Sequence, residues 1–173
     1  FCMKKNDSYE ISQSTLALVN AKDIVYQTII YDVNGTYVTK QMINQLINDA
    51  CLKANTTYQA KREISRRKFG QRAKPPIIID ATDGLYLVPT MSPKSYDCMY
   101  LFPEHIAEIS NDKTPIVTFK NGLTLPINCS KSSLKRQIER AKVQMYDHIP
   151  KVWMIMERYN KRSPWWDLYD PHK

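Results

Sequence analysis

The sequence is poor in glycine, which occupies only four of its 173 positions. These positions are scattered, so a glycine-rich phosphate loop and a dinucleotide fingerprint are both excluded. The four cysteines form no Cys-x-x-Cys pair, which argues against a zinc ribbon or a thioredoxin-type motif and favours buried free thiols in a reducing cytosol. The longest apolar runs, such as Ile77-Ile78-Ile79, are far too short to cross a bilayer, and no signal-peptide pattern is present.

Residue combinations typical of catalysis are also missing. The three histidines, His105, His148 and His172, are isolated from one another, and no metalloprotease, deaminase or nucleophile-elbow motif occurs. Asp80 and Asp83 could belong to a calcium loop or to a turn, and the lack of later acidic ligands favours the turn. We therefore expect a protein that is not an enzyme and that uses no cofactor or metal.

Positive charge is abundant and concentrated. The chain has a net charge of +8, and residues 53–74 contain eight basic residues and a single acid, Glu63. Such a concentration favours an anionic partner, most commonly nucleic acid, over the alternative of a solvated basic loop without a ligand. The eight residues are Lys53, Lys61, Arg62, Arg66, Arg67, Lys68, Arg72 and Lys74.

The residue pattern predicts an α+β fold with several short antiparallel strands or hairpins, two main amphipathic helices and a C-terminal tail. Strands are predicted over residues 26–33, 36–38, 77–79, 85–88, 99–102, 106–109, 116–119 and 123–127. Asn34-Gly35 and Asn121-Gly122 each predict a hairpin. Helical periodicity predicts one helix over residues 42–50, capped by Thr39, and another over residues 132–148. We expect one domain over residues 1–148 and an aromatic, basic tail over residues 149–173.

The basic segment does not follow the pattern of a packed element. As a helix it would be polar almost all round, because Ile64 and Phe69 share no apolar stripe. We therefore expect a mobile arm, or an exposed helix that orders on binding, which ends at Pro75-Pro76. Tyr58 beside it could stack on a base or sugar, or could belong to the core.

Two stretches resemble the bacterial competence transcription factor ComK. The first joins Cys51 and Tyr58 to Lys61-Arg62 and to Lys74-Pro75-Pro76-Ile77. The second joins Leu87-Val88-Pro89-Thr90 to residues 117–122 and a following amphipathic helix. The resemblance covers about residues 50–148. The chain departs from the family pattern at Asn55 and Ala60, where glycines are expected, and carries extra charge at residues 66–68.

This resemblance implies a cytoplasmic, nucleoid-associated activator of DNA-uptake genes and of its own gene. It implies binding to paired AT-rich boxes of double-stranded DNA through the minor groove, as dimers that associate into tetramers. The predicted DNA-binding residues are Tyr58, Lys61, Arg62, Arg66, Arg67, Lys68, Arg72, Lys74, Lys135 and Arg136.

The resemblance also implies that a Clp protease adaptor binds the C-terminal region. Trp153, Met154, Ile155 and Met156 lie where that segment is expected, although core packing explains them equally well. The alternative function is an RNA-binding module or ribonucleoprotein component, which the same charge supports but for which no base-stacking motif is present. A nuclease would need clustered carboxylates, and the close pair considered for that role is Asp80 and Asp83.

Overall fold

The structure, a computed structural model, describes residues 2–162; within its last helix the side chains of residues 149–153, 157 and 159–162 lie outside that description. The strands are β1 (Lys4–Lys5), β2 (Thr15–Asn20), β3 (Thr28–Asp32), β4 (Gly35–Thr39), β5 (Ile77–Asp80), β6 (Leu85–Pro89), β7 (Tyr100–Leu101), β8 (Ile106–Ile109), β9 (Ile116–Phe119) and β10 (Thr124–Pro126). The helices are α1 (Ile43–Lys53), α2 (Tyr58–Phe69) and α3 (Lys131–Arg162), with a short 3-10 helix at Pro103–His105. The predicted α+β class is confirmed.

A seven-stranded sheet, in the order β1-β4-β3-β2-β7-β6-β5, separates two hydrophobic clusters. Its neighbours are antiparallel except for β1 and β4, which run parallel. Side chains alternate between the two faces, so Ile77 and Ile79 pack in the cluster that includes α1, whereas Ile78 packs in the cluster that includes α3. The second cluster also includes residues of the three-stranded sheet β10-β9-β8.

Both predicted hairpins are present, although only the glycines supply the unusual backbone geometry. Gly35 begins β4 with a φ of 138°, and Gly122 follows β9 with a φ of 86°. The amide of Gly122 donates to the carbonyl of Phe119 at 2.9 Å, and the amide of Phe119 donates to the carbonyl of Leu123 at 2.8 Å. Among the described residues, Asn55 is the only non-glycine with positive φ, so neither hairpin asparagine uses that conformation.

The two predicted helices form, but their ends differ from the prediction. Thr39 does not cap α1: its Oγ1 accepts from the amide of Gln41 at 3.2 Å, while Met42 occupies the cap position without a side-chain hydrogen bond. The predicted end at residue 148 is wrong, because α3 continues through Pro150 to Arg162. Proline removes one backbone donor and usually bends a helix, yet it does not have to end it. The proposed boundary between domain and tail therefore lies within a helix.

Candidate nucleic-acid interface

The basic segment folds as a capped helix, α2. Thr57 precedes it in extended conformation, and its Oγ1 accepts from the amide of Ala60 at 3.1 Å. Gly70 ends the helix with a left-handed φ of 66°, and the following amide of Gln71 donates to the carbonyl of Ser65 at 2.9 Å. The last turn contains three basic residues, whose charge favours the negative end of the helix dipole.

This helix is packed against the domain, so the expectation of an arm without a packed face is wrong. Tyr58 and Ser65 are its buried residues. Ser65 Oγ donates to the carbonyl of Pro76 at 3.0 Å, and Gln144 Nε2 on α3 donates to Ser65 Oγ at 3.0 Å and to Gln71 Oε1 at 2.9 Å. A helix without an apolar stripe can pack in this way, because its inner polar groups are satisfied by neighbouring elements.

Two arginines of α2 and one from the loop that follows it meet on the outward side of this helix. Gln59, Arg62, Glu63 and Arg66 share this side at helical spacing. Together with Gln71, Arg72 and Pro75 from the following loop they line an open depression of about 170 Å³. We call this surface the arginine depression; its cationic residues are Arg62, Arg66 and Arg72.

Three arginines of α2, Arg62, Arg66 and Arg67, have defined neighbours. Glu63 Oε1 accepts from Arg66 Nη2 at 3.1 Å and from Arg67 Nη2 at 2.6 Å. The guanidinium carbon of Arg62 lies 5.7 Å from the ring centroid of Tyr58, within the range of a cation–π contact. The charges thus lie at the surface, while the helix that carries them is anchored by buried groups.

Other predicted DNA-binding residues lie away from the depression. Lys61 is half-buried, and its burial lowers the pKa of its amine. Lys68 pairs with Asp147 of α3, which directs it to the opposite side of α2. Lys74 is half-buried; burial raises the pKa of the Cys98 and Cys129 thiols, and the charge of Lys74 lowers both values to a smaller extent.

Tyr58, Lys135 and Arg136 also lie outside the depression. The Tyr58 ring is buried and its hydroxyl lies 3.4 Å from that of Tyr100, so of the two interpretations offered by the sequence the structure shows the core tyrosine. Lys135 and Arg136 are exposed on α3, eight to nine residues before Gln144, which places them about 12–14 Å from it along the helix axis. The sequence analysis gave no role to Gln59, Glu63 and Gln71, although the spacing of Gln59 and Glu63 from Arg62 and Arg66 could have indicated the first two.

The predicted adaptor segment lies on the distal part of α3. Met154, Ile155 and Met156 are each more than half exposed, so core packing within the described chain does not account for them. The side chain of Trp153 lies outside the described residues.

Several further expectations can be compared with the structure. Residues 80–84 form a turn, as predicted, in which Asp80 Oδ1 accepts from the amides of Thr82 and Asp83 at 2.9 and 3.2 Å. Among the described residues no group of histidine, cysteine and carboxylate side chains could hold a metal ion. Within the same part of the chain, no helix is both long and apolar enough to span a membrane.

All four cysteines are free thiols, but Cys2 is exposed and Cys129 only half-buried, so the expectation of burial holds for Cys51 and Cys98 alone.

Comparison with known proteins extends the resemblance along the chain. The family model described as ComK protein matches residues 6–150, which includes strands β2, β3 and β4 of the N-terminal part and all of the arginine depression. A curated relative, the "Competence transcription factor" of Bacillus subtilis (strain 168), is 25% identical over 138 residues, covering 78% of this chain and 71% of the relative. No solved structure matches at a comparable level of significance. With most of its length matched in a single continuous stretch, the chain belongs to the ComK family.

Proposed function

We propose that this protein is a transcription factor that binds double-stranded DNA through the arginine depression. The observation that supports this most is the convergence of Arg62, Arg66 and Arg72 on one open surface, in a chain whose relative is named a transcription factor. Guanidinium groups donate hydrogen bonds in a planar fork that matches phosphate oxygens, and they retain their charge at any physiological pH.

The physics of the site favours an extended polyanion over a small buried ligand. The depression is open and its arginines are exposed, so bound phosphates would keep part of their hydration. Neutralising several phosphates releases condensed counterions, which supplies affinity without sequence preference. Arginine is also favoured in narrow A·T-rich minor grooves, where the negative potential is strongest.

The family resemblance supplies the finer parts of the proposal. They are recognition of paired AT-rich boxes, assembly of dimers and tetramers on DNA, control of competence genes and delivery to a Clp protease by an adaptor. A selection on random duplex DNA tests the first part, because enrichment of spaced AT-rich half-sites is expected. Enrichment of structured RNA over duplex DNA in a parallel selection would instead favour the RNA-binding alternative.

The contribution of the depression is tested by removing its three charges together. We expect Arg62→Ala/Arg66→Ala/Arg72→Ala to weaken binding to all duplexes. The salt slope, meaning the steepness with which the logarithm of the binding constant falls with the logarithm of salt concentration, should decrease by about two to three units, at about 0.9 per lost phosphate contact. Fluorescence anisotropy with a labelled duplex at a series of salt concentrations measures both quantities.

The matched control removes three charges elsewhere. Lys94, Lys113 and Lys120 are exposed and line no part of the depression. Their replacement by alanine changes the net charge equally and should leave most of the slope in place. An equal loss in both triple variants would show that only overall charge matters, and would remove the depression from the proposal.

A further inference from the structure

We infer that Glu63 is a specificity-determining residue, which holds two arginines away from indiscriminate phosphate binding. This inference rests on the proposed function and adds a role for the only acidic residue among residues 53–74. A carboxylate inside a surface that binds a polyanion opposes binding, so its position requires an explanation beyond charge density.

The geometry gives Glu63 two guanidinium partners at once. Its Oε1 accepts from Arg66 Nη2 at 3.1 Å and from Arg67 Nη2 at 2.6 Å, and its side chain lines the depression between Arg62 and Arg66. The α2 backbone beneath it is held by the buried side chain of Ser65. The backbone that carries the Glu63 carboxylate is therefore held in place, and the carboxylate restrains the exposed side chains of Arg66 and Arg67.

A phosphate approaching these arginines has to compete with the carboxylate. Each guanidinium can turn to a phosphate only by leaving Glu63, or by bringing two anions close together. On random DNA, where backbone contacts supply nearly all of the affinity, this competition lowers binding directly. On a preferred site, contacts made by correctly oriented groups offset the same penalty, so the ratio of the two affinities increases.

A purely structural role predicts a different result. Glutamate and arginine at a spacing of three or four residues commonly stabilise an exposed helix by a small amount. In that case, removing the carboxylate would lower helix stability slightly and would give no gain in affinity for DNA. The two roles therefore predict opposite effects on the binding of random duplexes.

The experiment compares Glu63→Gln with the wild-type chain on two duplexes: one that the wild-type protein selects from a random pool, and one of shuffled sequence. We expect the variant to bind the shuffled duplex more tightly by on the order of threefold to tenfold, the effect of one unit charge at a few ångströms in water. Its salt slope should increase by up to about one unit as a freed arginine gains a phosphate. The ratio of selected to shuffled affinity should fall.

Two variants serve as controls. Glu108→Gln on β8 removes the same charge from an exposed position outside the depression, and it should change both affinities equally and weakly. Glu63→Asp keeps the negative charge and should keep the affinity for shuffled DNA close to that of the wild type. Circular dichroism confirms that each variant keeps its helices.

Each remaining outcome has a definite meaning. If Glu63→Gln matches Glu108→Gln in affinity ratio and slope, the role assigned to Glu63 is wrong while DNA binding by the protein stands. If the wild-type protein selects no duplex from the random pool and does not bind the shuffled one, the proposed function is wrong and this inference falls with it.

Discussion

Cys51 shows how one buried side chain connects stability to pH. It lies on α1 with no exposed surface and packs in the same cluster as Tyr58 of α2. Burial raises the pKa of its thiol from 9.0 to about 11, against a smaller lowering by the charge of Lys61. The thiol is therefore neutral in the folded protein over a range where it ionises in the unfolded chain.

The raised pKa predicts a loss of stability at alkaline pH. Because the folded value lies above the unfolded value, the contribution is complete below pH 9 and is lost between pH 9 and about 11. We expect Cys51→Ala to flatten the decline of the free energy of unfolding over this window by about 2–3 kcal/mol, at about 1.4 kcal/mol per pKa unit. Urea unfolding at a series of pH values measures the difference.

Cys2→Ala is the control for that measurement, because Cys2 is exposed. The comparison concerns the slope with pH, so a constant cost of the small cavity left by Cys51→Ala does not affect it. Parallel curves for the wild-type protein and both variants would contradict the assigned burial effect.

At the scale of elements, the contact between α2 and α3 is a small polar network. Gln144 Nε2 donates to both Ser65 Oγ and Gln71 Oε1, and Ser65 Oγ donates to the carbonyl of Pro76. Gln144 and Ser65 are both buried, so a missing partner cannot be replaced easily by water. The network holds the helix of the arginine depression at a fixed position beside strand β5.

The stability costs of removing Gln144 and Ser65 should not be additive. We expect Gln144→Leu and Ser65→Ala each to destabilise the fold by about 1–3 kcal/mol, since each removes hydrogen bonds from a buried polar network where water does not readily replace them. The double variant should cost less than the sum of the two, with a coupling of about 0.5–3 kcal/mol.

Urea unfolding of the four proteins in this cycle gives the coupling energy, and hydrogen exchange of the α2 amides locates it. Faster exchange in α2 than in α1 is expected for both single variants. Strict additivity, with exchange unchanged in α2, would mean that the network does not hold the helix.

At the scale of the whole molecule, α3 is the longest element and carries five exposed apolar groups among its described side chains. Val143 and Tyr146 are exposed, as are Met154, Ile155 and Met156 farther along the helix. Exposed apolar groups that cluster on one element commonly mark a surface for another protein. A second copy of the chain would fit the proposal of two half-sites on DNA, because two-fold symmetric proteins bind symmetric half-sites.

This surface predicts how assembly responds to substitution. We expect Met154→Ser/Ile155→Ser/Met156→Ser to shift the proposed dimer toward monomer in light scattering, while its circular dichroism stays the same. Binding to a single half-site should persist, and the dependence on half-site spacing should weaken.

The matched control changes three other exposed apolar residues to serine: Ile24, Val25 and Met42. These residues lie outside α3, so the control should remain dimeric. A wild-type protein that is monomeric both alone and on DNA would contradict the proposed dimer. In that case, binding of the proposed adaptor would be the remaining role for Met154, Ile155 and Met156.

Local patterns in the sequence were sufficient to predict most of the elements. The hairpins at Asn34-Gly35 and Asn121-Gly122 depend on a glycine conformation that only the local sequence decides. The apolar periodicity of α1 and of the first part of α3 also acts over a few residues, so both helices were predicted. The α+β class and the family follow from the same local patterns and their order along the chain.

The packing and orientation of α2 against the rest of the domain depend instead on residues that are distant in sequence. Ser65 meets Gln144 and Lys68 meets Asp147 across 79 positions, so neither partner appears in a local window. Lys68 and the three arginines were therefore all predicted to bind DNA, whereas folding directs Lys68 toward α3 and brings Arg62, Arg66 and Arg72 to one surface. Charge along the chain predicts an anionic partner. Helical spacing brings Arg62 and Arg66 to one side of α2, and long-range packing decides which side of that helix stays open to the proposed partner.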